Sequence, residues 1–306
     1  MDHPPPCLRL DALTPPARDI TCLWRAFRLV DRAFIRLIIG DLSLLAESPI
    51  DWTFLRNALD FSDPQRAVFN FQGTMLTPTV EEYAALIQRP MPTRDIVVPN
   101  QFTTIQSRLA ILLAEESYQR DACHGFLLLI FGTNLFLHAS NLIDGSLAQV
   151  VIQEVGGHSY TEALVAEIIW SLNYVRETQR GGMRGSLHLL QIWLLVHIRP
   201  FCSSHPFSYI TDDRSLIAQL LHVFRPSEHN YSDWKQLMEQ LTPSQLLWAT
   251  RWNHGGPMAI GCPTVVGLPL ISHLGSTLVF PSRVIRQLGS LQDIPTEADR
   301  TPYRFM

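Results

Sequence analysis

Lysine is almost missing from this chain. Of its 24 basic residues only Lys235 is a lysine, and the rest are arginines. Chemistry that depends on a lysine amine, such as a P-loop phosphate clamp, a pyridoxal Schiff base or a kinase-type strand lysine, must use Lys235 or does not occur. Charge is sparse altogether: 17% of residues are Asp, Glu, Lys or Arg, and the formal net charge is −4. Residues 1–153 hold 12 arginines against 16 acids, and residues 154–306 hold 12 of each sign. Neither half is a basic domain, so a large electrostatic footprint for nucleic acid is not expected. The five cysteines, Cys7, Cys22, Cys123, Cys202 and Cys262, are odd in number and contain no C-x-x-C pair. That pattern argues against a disulfide framework and for a reducing compartment.

Motifs that carry chemistry are also missing. Cys123-His124, His197, Cys202-x-x-His205, His222 and His229 match no standard zinc spacing. There is no G-x-S-x-G elbow, no G-x-x-x-x-G-K-[ST] loop and no G-x-G-x-x-G fingerprint. No catalytic residue, no metal ligand and no cofactor is therefore assigned. Met1–Leu13 is polar and Pro-rich and does not read as a secretory signal. Three apolar stretches, 125–139, 187–201 and 258–280, are too short, too polar or too broken by Pro and Gly for one spanning helix, so no membrane contact is expected.

What is present is a core-forming composition: 46% of residues are hydrophobic, with 16 Gly and 21 Pro. The spacing of Leu23, Trp24, Phe27, Val30, Phe34 and Ile38 predicts one amphipathic helix over 20–39, stopped by Gly40. A second helix is expected over 51–61, and period two over 66–73 marks a short strand. Thr79 and Glu82 form a capping-box pattern ahead of a helix over 80–88. Residues 103–139 read as two helices and 159–179 as the strongest one. Further helices are expected over 183–197, 212–223, 233–241, 243–250 and 281–288. Residues 258–280, rich in Val, Ile, Gly and Pro, read as short strands with tight turns. The expected fold is mainly α: a multi-helix globular domain with a short early strand and a small β segment near 258–280. Residues 1–18 read as a flexible lead-in, 19–295 as one globular domain and 296–306 as a frayed tail.

Several side-chain groups could carry function. Arg25, Arg28, Arg32 and Arg36 recur at helical spacing and would form an anion-contacting stripe, or the solvated back of an amphipathic helix. Gly181-Gly182-Met183-Arg184-Gly185 could hold an anion at a helix start, or simply connect two helices. Trp248, Trp252, Asn253 and His254 could line a cleft, or pack as a helix end. The acid pairs Glu81/Glu82, Glu115/Glu116 and Asp212/Asp213 read as helix starts or surface charge, because sequence neighbours on a helix do not face each other.

Four segments together resemble a known family. Leu76-Thr77-Pro78-Thr79-Val80-Glu81-Glu82-Tyr83 is similar to the helix start of the plant mobile domain, and Ala166-Glu167-Ile168-Ile169-Trp170-Ser171-Leu172-Asn173 to its central helix. Gly185-Ser186-Leu187-His188-Leu189-Leu190-Gln191-Ile192-Trp193 resembles its G-x-x-x-L-L-x-x-W helix. Residues 281–289 with Gln292-Asp293-Ile294-Pro295 resemble its R-Q-(aromatic)-G-x-x-Q-x-I-P signature. Order and spacing agree from about residue 50 to 295. The chain departs at Ser186, where relatives often have Cys, at Trp170, where they often have Arg, and at Leu288, where an aromatic is usual. The departures mark a divergent member, akin to the transposon-associated relatives of unknown function.

The resemblance implies a plant-specific, transposon-derived, nuclear protein. Some host members act in transposon silencing and genome maintenance with a phosphatase-like partner. The family carries the label aminotransferase-like, which the setting of Lys235, in the charged opening of a short helix, speaks against. The expected function is a non-enzymatic protein-interaction module. A nucleic-acid-binding accessory of a mobile element is the alternative, and a hydrolase or transferase with a dispersed site the second. The residues singled out are Glu81, Glu82, Arg286 and Gln287, polar positions inside the resembling motifs, as a contact or structural set. The arginine stripe is the group for an anionic partner.

Overall fold

The computed structural model describes residues 9–10, 16–64, 67–89, 96–98, 118–137, 145–178, 180–181, 183–198, 217–218, 230–242, 245–246, 268–271 and 276–279. Within them the chain is mainly α, as the helical spacings require. The order is β1 (Arg9–Leu10), α1 (Ala17–Ala26), α2 (Leu29–Ile39), a 3-10 turn (Leu42–Glu47), α3 (Trp52–Asp60), β2 (Ser62–Asp63), β3 (Val68–Phe71), β4 (Thr74–Leu76) and α4 (Val80–Leu86). It continues with α5 (Tyr118–Ile130), a π turn (Phe131–Leu135), α6 (Gly145–Val155), α7 (Thr161–Thr178), β5 (Arg180–Gly181), α8 (Leu187–His197), α9 (Tyr231–Glu239), β6 (Leu268–Ile271) and β7 (Ser276–Val279).

The single helix expected over 20–39 is two helices. Phe27 and Arg28 are extended, with ψ of 143° and 162°, and separate α1 from α2. The reason lies in packing. Trp24 stacks on Phe126 of α5 at 5.6 Å, and Phe27 meets the same ring edge-on at 5.3 Å. The helical spacing of α1 is broken at the point where both rings close on one aromatic partner, so tertiary contact overrides propensity. Gly40 does stop α2: its φ is +57°, and its N–H bonds to the Arg36 carbonyl.

The early strand belongs to a three-stranded antiparallel sheet, β2-β3-β4, with Phe69 opposite Leu76 and Phe71 opposite Thr74. Gln72 and Gly73 both have positive φ, the requirement of a tight two-residue hairpin turn, and the Asn70 side chain accepts from the Gly73 N–H at 2.8 Å. The β segment near the C-terminal end contains the hairpin β6-β7, which packs on α7. Helix α6 is an addition to the sequence reading. Its Val150-Val151-Ile152 run lowers helix propensity, and burial of Leu147, Val150 and Val151 outweighs that.

Inside residues 1–18, Arg9 and Leu10 pair in parallel with Arg180 and Gly181, and α1 opens at Ala17. The N-caps are made by the side chains of Asp51, Thr79, Ser186 and Asn230 for α3, α4, α8 and α9. Asn230 and Asp233 complete a capping box, so α9 begins at Tyr231, two residues before the expected start. The buried side chains from Ile20 to Leu246 make one hydrophobic cluster. Its largest fully buried members include Trp193, Trp234, Tyr83, Tyr160, Phe54 and Phe69.

Candidate functional site

A buried polar cluster joins two of the resembling segments. Thr79 caps α4 by accepting from the Glu82 N–H at 3.1 Å, and this fixes the Glu82 side chain one turn into the helix. The carboxylate faces the interior, where Oε2 accepts from the Thr79 hydroxyl at 3.0 Å and from the Trp193 indole at 2.8 Å. His197 lies one turn beyond Trp193 on α8 and meets it edge-on at 4.8 Å. Its Nε2 is 3.2 Å from Glu82 Oε1. Phe69 of β3 covers the other side of Trp193 at 5.9 Å. Glu82, Trp193 and His197 are all fully buried. The arrangement is a carboxylate sealed among an indole, a hydroxyl and an imidazole. It fastens α4 to α8, and it is closed to solvent in this conformation. Burial together with the Glu82 charge holds the adjacent Tyr83 phenol well above its usual pKa. Glu81 is buried as well. Burial, and then the Glu81 charge, raise the pKa of Glu162.

The first turn of α8 is tied to the segment before α3. His188 Nε2 lies 3.0 Å from the Ser48 carbonyl, so that nitrogen carries the proton. Gln191 accepts from the Asp51 N–H at 2.7 Å and donates to the Pro49 carbonyl at 3.3 Å. Burial lowers the His188 pKa to about 4, and the bond to Ser48 offsets only part of that.

A third polar cluster joins α2, the segment after α4, and α6. Arg89 donates to the Leu37 carbonyl at 2.6 Å and to Glu154 Oε1 at 2.6 Å. Glu154 is nevertheless pushed up to about pKa 7, because desolvation outweighs the attraction of one arginine. Burial, and then the Glu154 charge, raise the Tyr160 phenol beside it.

The arginine stripe is divided by the break between α1 and α2. Arg28 makes a two-pronged contact with Asp31 at 2.8 and 2.9 Å. Arg32 donates to the Arg25 carbonyl at 2.7 Å, and Arg36 lies 3.3 Å from Asp41 and over the Trp24 ring at 5.4 Å. Arg25 is exposed. Three of the four guanidiniums thus have local partners. Beside them Leu29, Val30 and Leu37 of α2 are 83%, 64% and 72% exposed. The sequence reading missed this surface because it placed Val30 on the buried side of one continuous helix.

Arg184 and Gly185 are in close contact with α7. The Arg184 N–H donates to the Ser171 hydroxyl at 2.6 Å. Its guanidinium lies over Trp170 and Tyr174, which stack on each other at 5.3 Å. Gly185 has φ +78°, and a Cβ there would meet Ile168 at 3.0 Å. Trp170 is thus covered by an arginine from the segment that follows α7. Nearby on α7, Arg176 lines an open surface cleft of about 330 Å³ with Asp60, Asp63, Pro64 and Asn70. Tyr231 of α9 donates to Asp60 at 2.7 Å on the edge of the same region.

Arg286 and Gln287 lie outside the described residues, as do Cys202, His205, Trp248, Trp252, Asn253 and His254. Among the described residues, no group of three or more His, Cys, Asp or Glu is placed to hold a metal ion. No helix among them is long and apolar enough to cross a membrane. No curated protein and no solved structure is significantly similar to the chain. One family does match, over residues 107–302, which is more than half of the sequence and includes the α7, Gly185–Trp193 and C-terminal segments. The chain belongs to that family, described as Domain of unknown function (DUF7745).

Proposed function

We propose that the chain is a protein-interaction module of the plant mobile-domain type, derived from a transposable element and acting in the nucleus in transposon silencing or genome maintenance. The observation that carries the interaction reading is the outer face of α2, where three large apolar side chains stand in solvent while the opposite face builds the core. Contiguous exposed apolar surface is expensive in water and marks a binding surface more often than a random feature. The use of Glu82 and Trp193 supports the mobile-domain part of the reading: the polar positions of two resembling segments answer each other inside the fold. A nucleic-acid role is less favoured, since neither half of the chain carries an excess of basic residues.

The test is affinity capture from plant nuclei with the full chain and with a Leu29→Asp/Leu37→Asp double variant, read by mass spectrometry. A phosphatase-like protein is the first partner to look for. A specific partner lost with the double variant supports the proposal. A turnover abolished by one polar-to-Ala change, or tight salt-sensitive binding of DNA or RNA, overturns it.

A further inference from the structure

The exposed face of α2 has a definite shape and a definite charge. Leu29, Ala33 and Leu37 lie at successive turns, and Val30 flanks them, so the apolar strip runs about 12 Å along the helix. At about 100° per residue, Arg36 and Arg32 fall in a row along one edge of this strip. Ahead of the break, α1 adds Leu23, which is 45% exposed, and the exposed Arg25. From Ala17 to Asp41 there are five arginines against three aspartates, one of which, Asp41, lies 3.3 Å from Arg36, in a chain whose net charge is −4. The local balance is therefore opposite in sign to that of the whole molecule.

We propose that this face docks an amphipathic helix of a partner protein, one whose apolar stripe is bordered by Glu or Asp. The inference rests on the interaction reading above and names the chemistry of the partner. A helix seated on the strip would place its leucine-like side chains against Leu29, Val30 and Leu37 and its acids beside Arg25, Arg32 and Arg36, the pattern of helix-in-groove recognition. Charge distinguishes this occupant from an anionic membrane. A short peptide feels the field within a Debye length of about 8 Å, which is the arginine row. An extended anionic surface faces a molecule that is negative overall.

The experiment uses the full chain and a fluorescent synthetic helix of about eighteen residues, long enough to overlap the strip, with leucines at helical spacing and glutamates on both borders. A second peptide carries lysines in place of the glutamates. The glutamate peptide is expected to bind, and the lysine peptide about fivefold or more weaker, because each rim charge pair adds modestly. Leu29→Asp/Leu37→Asp should weaken the glutamate peptide by tenfold or more, about the effect of losing one buried leucine contact. Arg25→Glu/Arg36→Glu should reverse the preference between the two peptides. Both variants change exposed side chains, and unchanged melting temperatures check that they fold.

Equal binding of the two peptides, no binding of either, or retention by phosphatidylserine vesicles without peptide binding overturns the proposal. So does a concentration-dependent dimer that Leu37→Asp abolishes, since it would seat a second copy on the face. If nuclear capture still yields a partner sensitive to Leu29→Asp/Leu37→Asp while the glutamate peptide fails, the acidic helix is wrong and the interaction module stands. If capture yields none, the interaction module itself fails.

Discussion

Trp193 donates its indole N–H to Glu82 Oε2 at 2.8 Å, across 111 positions of sequence and between two fully buried side chains. The same oxygen takes the Thr79 hydroxyl, and His197 stands on the other oxygen. Removing the carboxylate leaves the buried Trp193 indole without its acceptor and opens a gap beside His197. Glu82→Ala should therefore cost about 3 kcal/mol or more of unfolding free energy. Glu82→Gln keeps an oxygen for the indole and should cost about 1–2 kcal/mol, and Trp193→Phe should leave the carboxylate one donor short at similar cost. Urea unfolding of the three variants checks this order, and a Glu82→Ala variant within 0.5 kcal/mol of the parent, roughly surface-mutation noise, refutes it.

Glu154 gives stability a slope with pH. Its carboxyl is raised to about 7 in the fold, from 4.5, mainly by burial. A raised acid favours the protonated form in the native state. Its contribution is therefore complete below about pH 4.5 and is lost as pH rises towards 7. The loss amounts to about 3 kcal/mol at most. Glu154→Gln keeps an oxygen for Arg89 and does not titrate. Melting temperatures of parent and variant should diverge between pH 5 and 7, with the variant the more stable at the upper end. Parallel curves would show that Arg89 fully compensates the buried charge.

His188 acts in the opposite direction. Its pKa is lowered to about 4 by burial, so the neutral ring is the native form. Stability from this group is present above about pH 6.5 and is lost as pH falls through 4. His188→Gln, which can still donate to the Ser48 carbonyl, should flatten the acid limb of the stability curve while changing little at pH 7.5. An NMR titration of the parent supplies the direct measure, and a ring titrating near 6.5 would sink the prediction.

Gly185 should resist substitution. Its φ is +78°, and an added Cβ would meet Ile168 Cγ1 at 3.0 Å and the Ile168 backbone nitrogen at 3.4 Å. Gly185→Ala combines left-handed strain with a clash on α7 and should cost about 2 kcal/mol or more. The same variant should loosen Arg184 from Trp170 and Tyr174, visible as a change in tryptophan fluorescence. Gly73→Ala is the control: φ is also positive there, but a Cβ meets nothing within 4 Å, so its cost should be smaller.

The parts of the fold legible in the sequence are those governed by local rules. Asp51, Thr79 and Ser186 cap helices whose apolar spacing already marked them, and the Val68–Phe71 alternation is a strand. What escaped the sequence depends on distant partners. Nothing near Phe27 says that the chain must break, because the cause is Phe126, about a hundred residues away. Glu82 stood out as the last member of a capping pattern, yet its bond to Trp193 needs α8 in place. Glu154 is a lone acid in an apolar run, and its burial depends on Arg89, 65 positions away. The exposed strip of α2 is not legible because the phase of the helical spacing changes at Phe27 and Arg28, which are extended.

The family match begins at residue 107, and the Glu82–Trp193 bond straddles that boundary. Phe54, Phe69, Leu76 and Tyr83, all wholly buried, likewise belong to the stretch before it. The matched segment is thus narrower than the buried core of this chain, which reaches back to Ile20. A fragment started at 107 would open the core along one side and strand the Trp193 indole in it.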